Sequence, residues 1–169
     1  KLVNEYAVSK FAGEAFVLGH PDNLVVRTNL TGWRSWQGRP TFIEWAVRSL
    51  REAEAVQGFS DFFTSTIDAD RLANAILDLL DRKVSGLLNV AARETVDKAT
   101  FLRRLARELN VSAEKIRSAS VKSLPTARAE SLGLDVRKAE GVLGYKLPTT
   151  DEVIASLVRS EPGAVRPAL

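Results

Sequence analysis

The segment DADRLANAILDLLDRKVSGLLNVAA, residues 68 to 92, constrains the fold more than any other stretch. Its first part, 68 to 82, sets Leu72, Ala73, Ile76, Leu79 and Leu80 in a helical stripe behind Asp68, a side chain suited to capping the first turn. SGLLNVAA, 85 to 92, follows with so few polar groups that it reads as a strand covered on both faces. A helix leading into such a strand requires a sheet with helices packed on it, which is the α/β class.

The same grammar runs through the rest of the chain. Residues 5 to 18 form a helical pattern with Tyr6, Phe11, Ala12, Ala15 and Phe16 on one broad face, stopped by GHPDN, and NLVVRT, 23 to 28, is a β-branched strand. TNLTGWRSWQGRP, 28 to 40, is a loop, and TFIEWAVRSLREAEA, 41 to 55, returns to helical spacing. AVQGF and DFFTSTI read as extended, and TVDKATFLRRLARELN, 95 to 110, as an amphipathic helix. Residues 112 to 134 are polar and irregular; two short helices follow, one with Gly144 as its C-cap and one capped by Thr150 or Asp151, before a frayed tail.

Composition excludes several kinds of chemistry. With no cysteine and a single histidine, His20, in a turn-like loop, the chain carries neither disulfides nor a usual zinc ligand set, and a histidine-dependent hydrolase is disfavoured, although a Ser–Lys arrangement stays open. The 24 basic and 21 acidic residues are interspersed, giving a net charge of +3, so nucleic acid is not an expected partner. No apolar run reaches the length of about 20 residues that spans a membrane, and a cytoplasmic location is expected. The chain starts at Lys1 and holds no methionine, which suggests a piece of something longer.

Within the first helix, NEYAVSKFAGE sets Tyr6 four residues ahead of Lys10. Positions i and i+4 share a helix face, so the two side chains can serve one site. A phenol ordinarily titrates near pH 10, and a neighbouring ammonium stabilises its phenolate, so a tyrosine so placed can exchange a proton near neutrality. Carbonyl reduction needs that exchange, because hydride from a nicotinamide must be matched by a proton at oxygen. The other reading puts Tyr6 in the core and Lys10 in water.

NEYAVSKFAGE followed by NLVVRT resembles the active-site helix and next strand of the extended short-chain dehydrogenases/reductases, most closely the dTDP-4-dehydrorhamnose reductase branch. DFFTSTIDADRLANAILDLL, SGLLNVAARETVDKATFLRRLAREL and LPTARAESLGLDVRKAEGVLGYKLPT resemble later segments of that branch in the same order. The resemblance implies the carboxy-terminal part of a modified Rossmann fold with a small mixed substrate-binding subdomain. Residues 1–37 would end the Rossmann-type core, and 38–169 would be mainly the substrate subdomain, with 68–92 returning a helix and strand to the core. It implies Tyr6 as catalytic acid, Lys10 as its partner and ribose ligand, Thr28 and Asn29 beside the nicotinamide and sugar, and NADP or NAD as cofactor. A nucleotide-linked sugar would be the substrate, and a homodimer is compatible with the family.

Two features depart from that pattern. The ten glycines include no G-x-G pair, so the turn that cradles a dinucleotide's pyrophosphate is absent, and the chain alone is expected to be inactive. The branch has an aromatic residue where this chain has Leu30, with Trp33 and Trp36 later. Trp33, Trp36 and Arg39 can either stack on a base or sugar and pair with a diphosphate, or pin the loop to the core. An epimerase, a dehydratase and a non-catalytic partner subunit on the same fold remain alternatives.

Overall fold

The computed structural model describes residues 3–34, 38–125 and 129–162. Helix α1, Glu5–Leu18, begins at Asn4, whose side chain accepts from Ala7 N, and leads through a tight turn into β1, Leu24–Arg27. Two residues of β2, Leu30–Thr31, stand in what the sequence suggests is only loop. Helix α2, Phe42–Arg51, opens with a reciprocal cap: Glu44 N donates to the Thr41 hydroxyl, and the Glu44 carboxylate accepts from Thr41 N at 2.7 Å. It stops short of the expected end at 55, because Ala53 adopts a positive φ of 51°.

Strands β3, Val56–Phe59, β4, Phe63–Thr64, and β5, Ile67–Asp68, precede α3, Ala69–Asp81. Asp68 caps α3 as its position suggests. The buried stripe differs, however: Leu72, Ala75 and Leu79 face inward, whereas Ala73 and Leu80 are exposed. β6, Gly86–Asn89, pairs in parallel with β1 over four residues, Leu24 opposite Gly86 through Arg27 opposite Asn89. Only Leu88 of this strand is buried, so the full coverage expected of it begins just beyond, at Val90 to Ala92.

β7, Val96–Asp97, leads into α4, Lys98–Glu108, capped by Asp97. The stretch 112 to 134 is less irregular than its polarity suggests, for β8, Ile116–Ala119, pairs in parallel with β3, and β9, Ser131–Leu132, adds to β4. These strands escape a hydrophobic reading because β8 buries little beyond Ile116 and both residues of β9 are exposed. Helix α5, Arg137–Leu143, ends at Gly144 with φ 76°, and α6, Thr150–Arg159, is capped by Thr149 with a reciprocal Glu152 bond rather than by Thr150 or Asp151. Thr150 is instead buried in the first turn.

Two apolar clusters result. One joins α2, β3, α4, β8 and α6 around Ile43, Val56, Phe101, Leu105 and Ile154; the other joins α3, β5, β6 and α5 around Ile67, Leu79, Leu88 and Leu143. Helix α1 belongs to neither and has no buried residue. Gly58 shows how closely β3 lies on α4: a Cβ there would come within 2.8 Å of Ala99 Cα and Cβ. Gly58→Ala is expected to lower unfolding stability by about 1–3 kcal/mol through overpacking, measured by urea denaturation.

Candidate active site

The capping geometry of α1 sets Tyr6 in the first turn, and Ser9 Oγ donates back to the Tyr6 carbonyl at 2.9 Å. Helix α1 is held to β1 chiefly by polar groups. Arg27 Nε donates to Glu14 at 2.8 Å and its second nitrogen reaches the other carboxylate oxygen, while Asn23 Nδ2 donates to Val17 O at 2.9 Å. The guanidinium beside Glu14 holds that carboxyl below its usual range, and Glu14 in turn raises Arg27.

Tyr6 is 71% exposed, which rules out its burial as a core ring within this chain. It lines a cavity of about 460 Å³ together with Thr28, Asn29, Thr31, Thr64 and Lys98. Lys10 stands one turn along, its Nζ 5.6 Å from the centre of the Tyr6 ring. Thr28 and Asn29 leave the carboxyl end of β1, where ligands of α/β sheets gather. Asn29 is fixed on both sides, its Nδ2 donating to Leu132 O at 2.7 Å and its carbonyl accepting from Ile67 N at 3.0 Å.

The cavity wall contains unmet hydrogen-bonding capacity. Thr28 Oγ1 and Thr31 Oγ1 are buried with no hydrogen-bond partner among the described residues, while Thr64 and Thr66, also on the wall, bond each other at 3.2 Å. A buried hydroxyl without a partner costs about 1–3 kcal/mol. A polar, hydroxyl-bearing ligand, such as the ribose and amide of a nicotinamide nucleotide or a sugar, would meet such hydroxyls.

Of the other sequence candidates, Trp33 and Arg39 are not among the residues lining this cavity. Trp33 lines a different cavity with Asp68, Asp70 and Ser160, donates from Nε1 to Leu157 O at 2.9 Å, and packs against the first apolar cluster. That contact matches the loop-pinning alternative for this indole. Arg39 is exposed, and its carbonyl accepts from Arg34 at 3.0 Å; Trp36 lies outside the described residues.

Lys98 is a cavity residue that the sequence reading passed over. It opens α4, and its Nζ lies 4.1 Å over the Phe42 ring, without an ion pair among the described residues. The available signal was its spacing: positions 98, 101, 102 and 105 share a helix face, and the other three, Phe101, Leu102 and Leu105, are buried.

Burial pushes Lys98 down to about 8 from an ordinary 10.5. The folded state therefore binds fewer protons than the unfolded chain between those values, and the penalty is fully present below pH 8 and relieved as pH rises toward 10.5. Urea denaturation at pH 7 and pH 10 should show the wild type gaining about 1–2 kcal/mol relative to Lys98→Met, after allowance for the part of the ammonium that water reaches.

The profile of the RmlD substrate binding domain matches residues 2–161. The Haloferax volcanii protein named "Probable low-salt glycan biosynthesis reductase Agl14" is 31% identical over 160 residues, covering 92% of this chain and 53% of that protein. A dTDP-4-dehydrorhamnose reductase from Bacillus anthracis, solved in complex with NADP, superposes with a TM-score of 0.80 at 22% identity, over 92% of this chain and 55% of that one. A hypothetical dTDP-4-dehydrorhamnose reductase from Sulfolobus tokodaii does so with 0.75 at 26%, over 87% and 51%. The chain spans about half the length of these relatives. Its α/β architecture is that of the Rossmann-like reductases it superposes on, and the chain belongs to the RmlD substrate binding domain family.

Proposed function

We propose that this chain is the carboxy-terminal half of an NAD(P)-dependent reductase acting on a nucleotide-linked sugar. The carrying observation is the shared cavity: Tyr6, Thr28 and Asn29 line it, Lys10 stands beside Tyr6, and two buried threonine hydroxyls on its wall lack partners. A bound nicotinamide cofactor supplies hydride. Tyr6 Oη gives a proton to the substrate carbonyl oxygen, and Lys10 is the cation one turn along beside it. The Thr28 hydroxyl and Asn29 Oδ1 orient the groups around that oxygen. Reduction is preferred to epimerisation or dehydration because the matched Haloferax relative is named a reductase.

In this reading residues 1–37 end the Rossmann-type core, 38–169 are mainly the substrate subdomain, and 68–92 return a helix and strand to the core. The parallel pairing of β6 with β1 supports the last assignment. Two surfaces support the half-protein reading. Helix α1 exposes apolar side chains on more than one face, with Phe16 87% and Phe11 54% accessible, a pattern that suits a helix covered inside a larger protein. β1 pairs only with β6 among the described residues, which leaves its other edge open to a further strand. An amino-terminal dinucleotide-binding half would cover both. The residues described here include no helix long and apolar enough to cross a membrane.

The full-length protein is expected to oxidise NADPH or NADH with a nucleotide-linked 4-keto sugar. Tyr6→Phe should lower kcat by about 10²–10⁴-fold with little change in melting temperature. Turnover close to wild type would remove Tyr6 from the mechanism. The 169-residue chain alone, lacking a pyrophosphate-cradling turn, should show no micromolar affinity for NADPH in calorimetry, and such binding would refute the division of labour between the halves.

A further inference from the structure

Lys98 sits where a charge is hard to keep. Its ammonium lies over the Phe42 ring at 4.1 Å and 5.6 Å from the Phe101 ring, and among the described residues it has neither an ion pair nor a side-chain hydrogen bond. The adjacent carboxylate, Asp97, is committed to capping α4, accepting from Thr100 N at 2.8 Å and from the Thr100 hydroxyl at 2.7 Å. Burial disfavours the charged form of Lys98, and the aromatic faces return only part of the lost hydration. Methionine would fill the same space without that cost, so the charge has its use toward something that enters the cavity.

Position indicates what enters. Together with Phe42 and Phe62, Lys98 forms a wall common to two cavities. The cavity under Tyr6 is rich in threonine hydroxyls. The other, about 400 Å³, is lined by Trp45, Phe59, Leu102, Val121 and Leu124, with the exposed amide of Gln57 among them. Passing from one to the other, the surface offers hydroxyl donors, then one cation, then aromatic and aliphatic faces beside an amide. A nucleoside-diphosphate sugar carries the complementary chemistry in the same order: a polyhydroxylated ring, an anionic linker and a planar base.

Resting on the function proposed above, we propose that Lys98 is the diphosphate anchor of the substrate site, holding the sugar toward Tyr6 and directing the base into the aromatic cavity. The test uses full-length protein and thymidine diphosphate, with thymidine, inorganic pyrophosphate and NADPH as further probes in calorimetry. Lys98→Met should weaken thymidine diphosphate about 10- to 100-fold, the loss of one charge-assisted hydrogen bond, while leaving thymidine and NADPH within twofold. Lys98→Arg should recover most of the affinity, and pyrophosphate should bind the wild type more weakly than thymidine diphosphate. An unchanged or raised melting temperature in Lys98→Met certifies the fold. Equal binding of thymidine diphosphate by wild type and Lys98→Met overturns the assignment of Lys98 alone. Parallel loss of NADPH affinity places the cation on the cofactor and overturns it as well. A wild type that binds neither thymidine nor uridine diphosphate at millimolar concentration overturns the proposed function together with this inference.

Discussion

The forked contact between Arg27 and Glu14 is the interaction on which the arrangement of the site depends. Helix α1 buries no residue, so little apolar packing holds it to the rest of the chain. A 14-residue helix without tertiary support is marginal in water, and here the support is the guanidinium fork from β1 and the Asn23 bond to Val17. Because Arg27 is the last residue of β1, the same strand end that grips α1 also delivers Thr28 and Asn29. Tyr6 and its neighbours across the cavity are thus set by one strand, whose own register is fixed by parallel pairing with β6.

The opposite wall comes from different parts of the chain. Thr64 comes from β4, Thr66 from the link between β4 and β5, and Lys98 from the first turn of a helix whose remaining inward face, Phe101, Leu102 and Leu105, is core. Asn29 bridges the walls, since its backbone receives Ile67 and its side chain reaches Leu132. The two-residue strands of this wall are placed by pairing, β2 with β5 and β4 with β7 and β9.

How far the sequence foretells this depends on where each element's stabilisation comes from. Helices α3, α4 and α6 are legible because burial of a periodic face and a side-chain cap both leave marks within about a dozen residues. β8 and β9 are not, since they gain their place from backbone pairing with β3 and β4 far away in the chain and bury almost nothing. The inward stripe of α3 is misread at two residues, with Ala75 in place of Ala73 and Leu80 left out, because leucine and alanine occupy nearly every face of that helix. Tyr6 and Lys10 stand out by their i, i+4 spacing, but only the resemblance of the surrounding segments suggests a role for them. Trp33 attracts notice as an aromatic in a polar loop, yet its indole N–H is spent on Leu157, and no local pattern could announce a partner 124 residues away.

Lys98 and α1 break the same rule in opposite directions. On α4 a cation occupies a face that otherwise asks for an apolar side chain; on α1 apolar side chains occupy faces that water reaches. Neither arrangement is favourable in the isolated chain: the lysine bears a desolvation cost, and the exposed rings of Phe11 and Phe16 forgo their transfer free energy. Sequences that fold well concentrate such violations where another molecule completes the environment. The chemistry of each violation specifies its complement, an anion for the buried ammonium and an apolar, strand-bearing surface for α1 beside the open edge of β1. The two complements meet at Tyr6, which lies on the uncovered helix and lines the cavity that Lys98 closes. In the proposed reading, substrate and covering polypeptide would approach one phenol from two sides, and the water excluded by both would let a single proton donor act on a single carbonyl oxygen.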